Sequence, residues 1–274
     1  MKTGFVTPAQ QSSSLAIASA TTKESLANDQ NEYAALFSDK IQLVAGKLEE
    51  LKALRHGQSD FCHLLEYCGS LRADIARQQK FKNRLYGEYG ALRSEHSSGF
   101  VTHWKLIPRA HWRSFMATKD YLKEKEASPY GEVYDYTVRG KINGKDVLLT
   151  RVSFDHTHSF GMGLHHPMVA KTKAEVSDFL DFLLEKSLQD RGHASKEQIF
   201  EDLARLYYFG ANLCPFKRGS GAAIEMLFRA LLSYHGLESR PVSKIENEQI
   251  RVDIMAMSRS LDTFLLEFPS YFAS

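Results

Sequence analysis

From Tyr33 the apolar positions fall at Tyr33, Phe37, Ile41, Val44, Leu48 and Leu51. Steps of four and three on one stripe predict an amphipathic helix with a single buried seam. His56, Gly57 and Gln58 interrupt it, and Ser59 is placed to cap a second helix presenting Phe61, Leu64, Cys68, Leu71 and Ile75, then Phe81, Leu85 and Tyr89. Two long helices across a short turn predict an antiparallel hairpin that shares the seam. Residues 28–95 are read as this helical arm, packed on the rest of the chain or offered to a partner as a coiled coil.

Residues 96–130 carry a mixed pattern in which Trp104 and Trp112, eight apart, would share one face of a helix. The clearest strand signal runs from Tyr134 to Leu149, with Asn143-Gly144 between two β-prone runs as a tight hairpin turn and Gly140 weakening the first. Thr172 and Glu175 form a capping box ahead of Val176, Phe179, Leu180, Leu183 and Leu184. Ser195 and Gln198 do the same for a helix reaching Leu213. Gly236 stops the next helix, Ser243 and Glu246 open a last one, and Pro269 is expected to lie beyond its end. The fold expected is mainly α-helical: an α-helical core with a small β-hairpin, plus the N-terminal helical hairpin, with residues 96–274 as the catalytic-like or binding domain.

Charge narrows the partners. Thirty-five basic and 33 acidic residues leave a net +2, too balanced for a global field that would draw nucleic acid, so no direct nucleic-acid binding is expected. Three cysteines (Cys62, Cys68 and Cys214) are an odd number without framework spacing, which fits a reducing, cytosolic environment. No apolar stretch reaches the roughly 20 residues of a transmembrane segment. Residues 1–27 are expected to be a disordered leader, because the first 22 carry one Lys, no acid and many Ser, Thr, Ala and Gln. Such a segment is either a floppy terminus or a secretion leader of the kind found on bacterial proteins injected into host cells.

The most informative stretch is Leu206 to Gly236. An apolar run stops at Pro215, a short turn follows with Lys217, Arg218, Gly219, Ser220 and Gly221, and a second apolar helix starts almost at once. Glycines let the turn fold tightly, and the next helix begins with unpaired N–H groups aimed into it. With two cations alongside, this is either an anion site for phosphate or carboxylate or a plain helix–helix elbow. Cys214 beside it is a nucleophile with a lowered pKa or an inert buried side chain at a helix end. Glu225, about one turn into the second helix, faces the same cleft or forms a surface ion pair.

A second cluster gathers Asp155, His156, His158, His165 and His166 in what reads as a loop. In a strand His156 and His158 would share a face, one way to begin a zinc site. Neither HExxH nor paired cysteines accompany them, so no metal ligands are assigned. The alternatives are ordinary surface histidines or a substrate-facing loop in which His158 or His165 shuttles a proton or touches a ribose.

The turn resembles the motif of the Fic family: His-Pro-Phe, any residue, Asp or Glu, Gly-Asn-Gly-Arg, then Arg three residues on. Pro215, Phe216, Gly219 and Gly221 match. The surroundings are similar too: a hairpin flap at 134–149, His166-Pro167 before a helix at 173–188, and the motif between two helices. The resemblance covers about residues 130–240. It implies a nucleotide or other diphosphate-containing ligand at Lys217, Arg218, Gly219, Ser220 and Gly221. Cys214 stands where the family's proton-accepting His is, Arg218 where its metal-holding acid is, and Ala222 and Glu225 where its two arginines are. Arg for an acid removes a Mg²⁺ ligand and puts a fixed cation where the metal would sit.

Three functions follow as expectations. The first is a transferase-like, or phosphate-ester lyase or hydrolase, bacterial effector that enters the host cell by type III-like secretion and modifies a host protein. Its catalytic candidates are Cys214, Glu225, His158 and His165. The second is a non-catalytic effector or scaffold that binds a host protein through a degenerate Fic-like core. The third is a metal-dependent hydrolase built on the 155–166 histidines.

Overall fold

The computed structural model describes residues 31–51, 61–79, 88–92, 100–106, 136–154, 161–167, 170–239 and 252–272. Helix α1 (31–51) buries Phe37, Ile41, Val44 and Leu48, the seam its periodicity predicts. Helix α2 (Phe61–Gln78) buries Phe61, Leu64, Cys68, Leu71 and Ile75 as expected. It also buries a parallel stripe of Leu65, Gly69, Arg72 and Ala76. Its N-terminus is capped from a distance, by Asp181 Oδ1 accepting from the Phe61 amide at 2.5 Å. Ser59, Phe81 and Leu85 lie outside the described residues; Tyr89, expected on this helix, lies beyond its end at Gln78 and forms a β-bridge with Arg218 instead.

The β element is larger than a hairpin. Strands β1 (Phe100–Leu106), β2 (Tyr136–Ile142), β3 (Lys145–Phe154) and β4 (Gly161–Pro167) form one antiparallel sheet in the order β1-β4-β3-β2. The β2–β3 hairpin turns at Asn143 and Gly144, both at positive φ (51° and 78°), as Asn-Gly predicts. Gly140 does not interrupt β2, because a Cβ there would stand 2.6 Å from the Phe209 ring. The missing side chain lets strand and helix close. Two expectations change with the sheet. Trp104 is on β1, not on a helix, and His165 and His166 belong to β4, which pairs on both edges. A glycine-rich strand with few β-branched residues gives almost no propensity signal, and its neighbours create it.

Among the described residues five further helices follow: α3 (Ala170–Gln189), α4 (Lys196–Leu213), α5 (Ser220–Tyr234), α6 (Val252–Ser258) and α7 (Leu261–Phe272). The protein is mainly α-helical with a small antiparallel β element. Ser195 caps α4 through the Gln198 amide at 3.2 Å, as predicted. Thr172 falls inside α3, which starts at Ala170, so it is not that helix's cap. The last helical stretch is two helices broken at Arg259 and Ser260, and Pro269 lies inside α7. Phe264, Phe268 and Phe272 recur every fourth residue there and pack on Tyr207 and Phe228 with centroids 4.3 to 6.1 Å apart. Such a cluster is worth enough to offset the roughly 3 kcal/mol penalty of a helical proline. Ser243 and Glu246 lie outside the described residues.

Helix α5 runs through the centre, buried along its length except at Glu225 and Ser233, with α2, α4 and α6 against it. One buried apolar cluster extends from Phe37 of α1 through α5 to Phe272 of α7. Asn212 ties the sheet to this core: its Oδ1 accepts from Thr150 Oγ1 of β3 at 2.6 Å, and its Nδ2 donates to the carbonyls of Tyr208 and Ala256. Among the described residues no helix is long and apolar enough to cross a membrane.

Candidate functional site

Helix α4 ends at Cys214, whose backbone takes the left-handed conformation (φ 41°, ψ 57°) with its amide on Ala211 O. The chain then folds back over Pro215 and buries Phe216 completely. Room for that ring comes from Gly69 of α2, where any Cβ would lie 2.5 Å from Phe216 Cζ. Ser220 Oγ locks the turn from inside, accepting from the Phe216 amide at 3.0 Å and donating to the Phe216 carbonyl at 3.2 Å. Outside, residues 88–92 lie along it. Lys217 N donates to Ala91 O, Gly90 N donates to Arg218 O, and Arg218 Nε pairs with Glu88 at 3.0 Å.

Gly219 (φ 87°) is the N-cap of α5 and supplies no side-chain hydrogen bond to the helix start. The central helix therefore opens with its positive end uncapped. A Cβ on Gly219 would meet Arg72 Cγ at 3.0 Å and Tyr89 Cδ1 at 3.2 Å. The guanidinium of Arg72 stands over the Tyr89 ring at 4.3 Å and the Tyr33 ring at 5.2 Å. Arg72 is 7 % exposed, and its Nη1 is buried without a hydrogen-bond partner among the described residues. A guanidinium keeps its charge at any physiological pH. Two faces of aromatic rings recover about 0.5–2 kcal/mol each, less than the several kcal/mol that burying an ion costs.

The site residues named from the sequence fall into three groups. Lys217, Arg218, Gly219, Ser220 and Gly221 form the turn itself, with Lys217 and Arg218 exposed and Ser220 and Gly221 buried. Cys214 is 1 % exposed, its side chain in the core, and Glu225 holds Arg229 Nε at 3.0 Å. His158 and His156 lie outside the described residues, and His165 sits on β4 opposite Thr102 and Arg151. Among the described residues no three His, Cys, Asp or Glu side chains gather as metal ligands. Sequence reasoning missed Arg72, Tyr33 and Tyr89 as neighbours of the turn. The available signal was a charge in phase with Leu65, Gly69 and Ala76, on a stripe of α2 whose other members are apolar or small.

Residues 162–274 match the avirulence protein family AvrB_AvrC. The match begins in β4 and takes in the turn and every helix after it, but under half of the chain. No curated protein matches the chain. Among solved structures, the N-terminal Fic domain of a Bartonella effector protein, a substrate of the VirB T4SS from Bartonella sp. AR 15-3, aligns at 14 % identity and a TM-score of 0.37. The alignment covers 86 % of this chain and 82 % of that one. So loose a superposition carries no statement about activity.

Proposed function

We propose that the protein is an avirulence-type bacterial effector that holds a nucleotide or other diphosphate-bearing ligand at the 214–221 turn and acts on a host protein. The avirulence match supports the effector role. The uncapped start of α5 at Gly219 supports the ligand, because such a terminus favours a phosphoryl group through its amides and its dipole.

A second reading is favoured by a specific observation. Cys214 is buried and Glu225 is engaged by Arg229, so neither is presented as a base, and the effector works by binding without covalent transfer. Calorimetry of the full chain with ATP, ADP, NAD and a cytidine diphosphate tests the shared premise. Heat with at least one of them is expected, and silence with all overturns the ligand site. Labelled nucleotide in a host extract then separates the readings: label transferred to protein supports a transferase, and binding without transfer supports the second.

A further inference from the structure

We propose that the phosphoryl group is gripped from α2, by Arg72, between the rings of Tyr33 and Tyr89 and the start of α5. The inference rests on the ligand reading above and deepens it. It assigns the principal cation to α2 and not to the turn's own Lys217 or Arg218.

Three observations meet at this point. The first is the positive end of α5, opened by a glycine without a side-chain cap. The second is a guanidinium more than nine-tenths buried whose stem runs against that glycine. The third is the orphaned Nη1 of the same group. The stem of Arg72 lies against Gly219 at the positive end of α5, so a phosphoryl group seated between that end and the guanidinium would be attracted by both. Glu88, on the segment alongside the turn, is held by Arg218. A planar fork of N–H donors matches the oxygens of a phosphoryl group, and the α5 amides add neutral donors. Aromatic rings on two sides fix the fork in place and keep it from turning to solvent. The ligand class is a phosphate monoester or a diphosphate, recognised at its phosphoryl end.

Titration of the full chain with pyrophosphate, ADP and inorganic phosphate, in the wild type and in Arg72→Met, Arg72→Lys and Arg218→Ala, tests this. Pyrophosphate is expected to bind the wild type and to raise its thermal midpoint. Arg72→Met should weaken it at least tenfold, and ADP equally, without lowering the midpoint of the ligand-free protein, because the variant removes a buried charge that lacks a partner. Arg218→Ala should change affinity by less than threefold. If Arg72→Met fails to fold, Arg72→Lys is read instead: it retains the charge without the fork and should still bind several-fold more weakly. Wild-type affinity in a folded Arg72 variant overturns the assignment while leaving the ligand reading intact, as does loss of binding confined to Arg218→Ala. No binding of any probe to the wild type overturns both.

Discussion

Cys62 is part-exposed and donates to Ser177 Oγ, whereas Cys68 and Cys214 are buried. Burial pushes the Cys68 thiol well above its usual range. Alkylation followed by mass spectrometry should therefore modify Cys62 in the native protein and the other two only as the chain opens. Modification of native Cys214 at the Cys62 rate would restore it as a reactive group. Tyr208 makes a pH prediction: its hydroxyl donates to Arg259 O at 2.9 Å, and burial, with Asp262 nearby, raises its pKa above the ordinary 10.0. An acid raised on folding contributes stability that is full below the unfolded pKa and lost above it. Denaturation midpoints should fall as pH rises past about 10, and Tyr208→Phe should flatten that decline at a cost of about 1 kcal/mol near neutrality. At this scale the sequence was least legible. Whether Cys214 faces a cleft or the core depends on one left-handed residue, and whether Glu225 is free or paired depends on Arg229 one turn later.

Between elements, two contacts made by an absent side chain and by an uncharged one can be tested directly. Gly69→Ala would drive a methyl group into Phe216, and urea unfolding should show a loss of about 1–3 kcal/mol, the usual cost of overpacking. Asn212→Leu strips Thr150, Tyr208 and Ala256 of one buried partner together. A loss of about 1–3 kcal/mol is expected there too, and an unchanged midpoint would show that the network is dispensable. The helices were legible because their apolar stripes repeat: α1, α2 and the run ending at Leu213 stand where periodicity puts them. Strand β4 was not, since Gly161, Gly163 and Pro167 speak against a strand and only pairing on both edges overrules them. Pro269 misled for a related reason, being outweighed by the aromatic stack of its own helix.

Across the whole molecule, the turn could be found from the sequence, but what stands behind it could not. Nothing in the order Pro215, Phe216, Lys217, Arg218, Gly219 shows that a buried arginine from α2 lies against Gly219. Periodicity says which face of α2 is covered, and never by what. If α2 contributes to ligand capture as proposed, its charge governs affinity and charge on the exposed turn governs little.

The seating of Phe216 on Gly69 also fixes an order of events. These residues are separated by more than half the chain, and loop closure over such a distance comes late compared with the local pairing of β2 with β3 or the winding of α4 and α5. During refolding the helices and the 136–154 hairpin should appear first, and the proposed site at the start of α5 should remain incomplete until α2 docks. Rapid dilution from denaturant, with far-ultraviolet circular dichroism for the helices and pyrophosphate capture for the site, would resolve the two stages. Capture competence should trail helicity, and simultaneous recovery would mean that α2 is already in place when the central helices form.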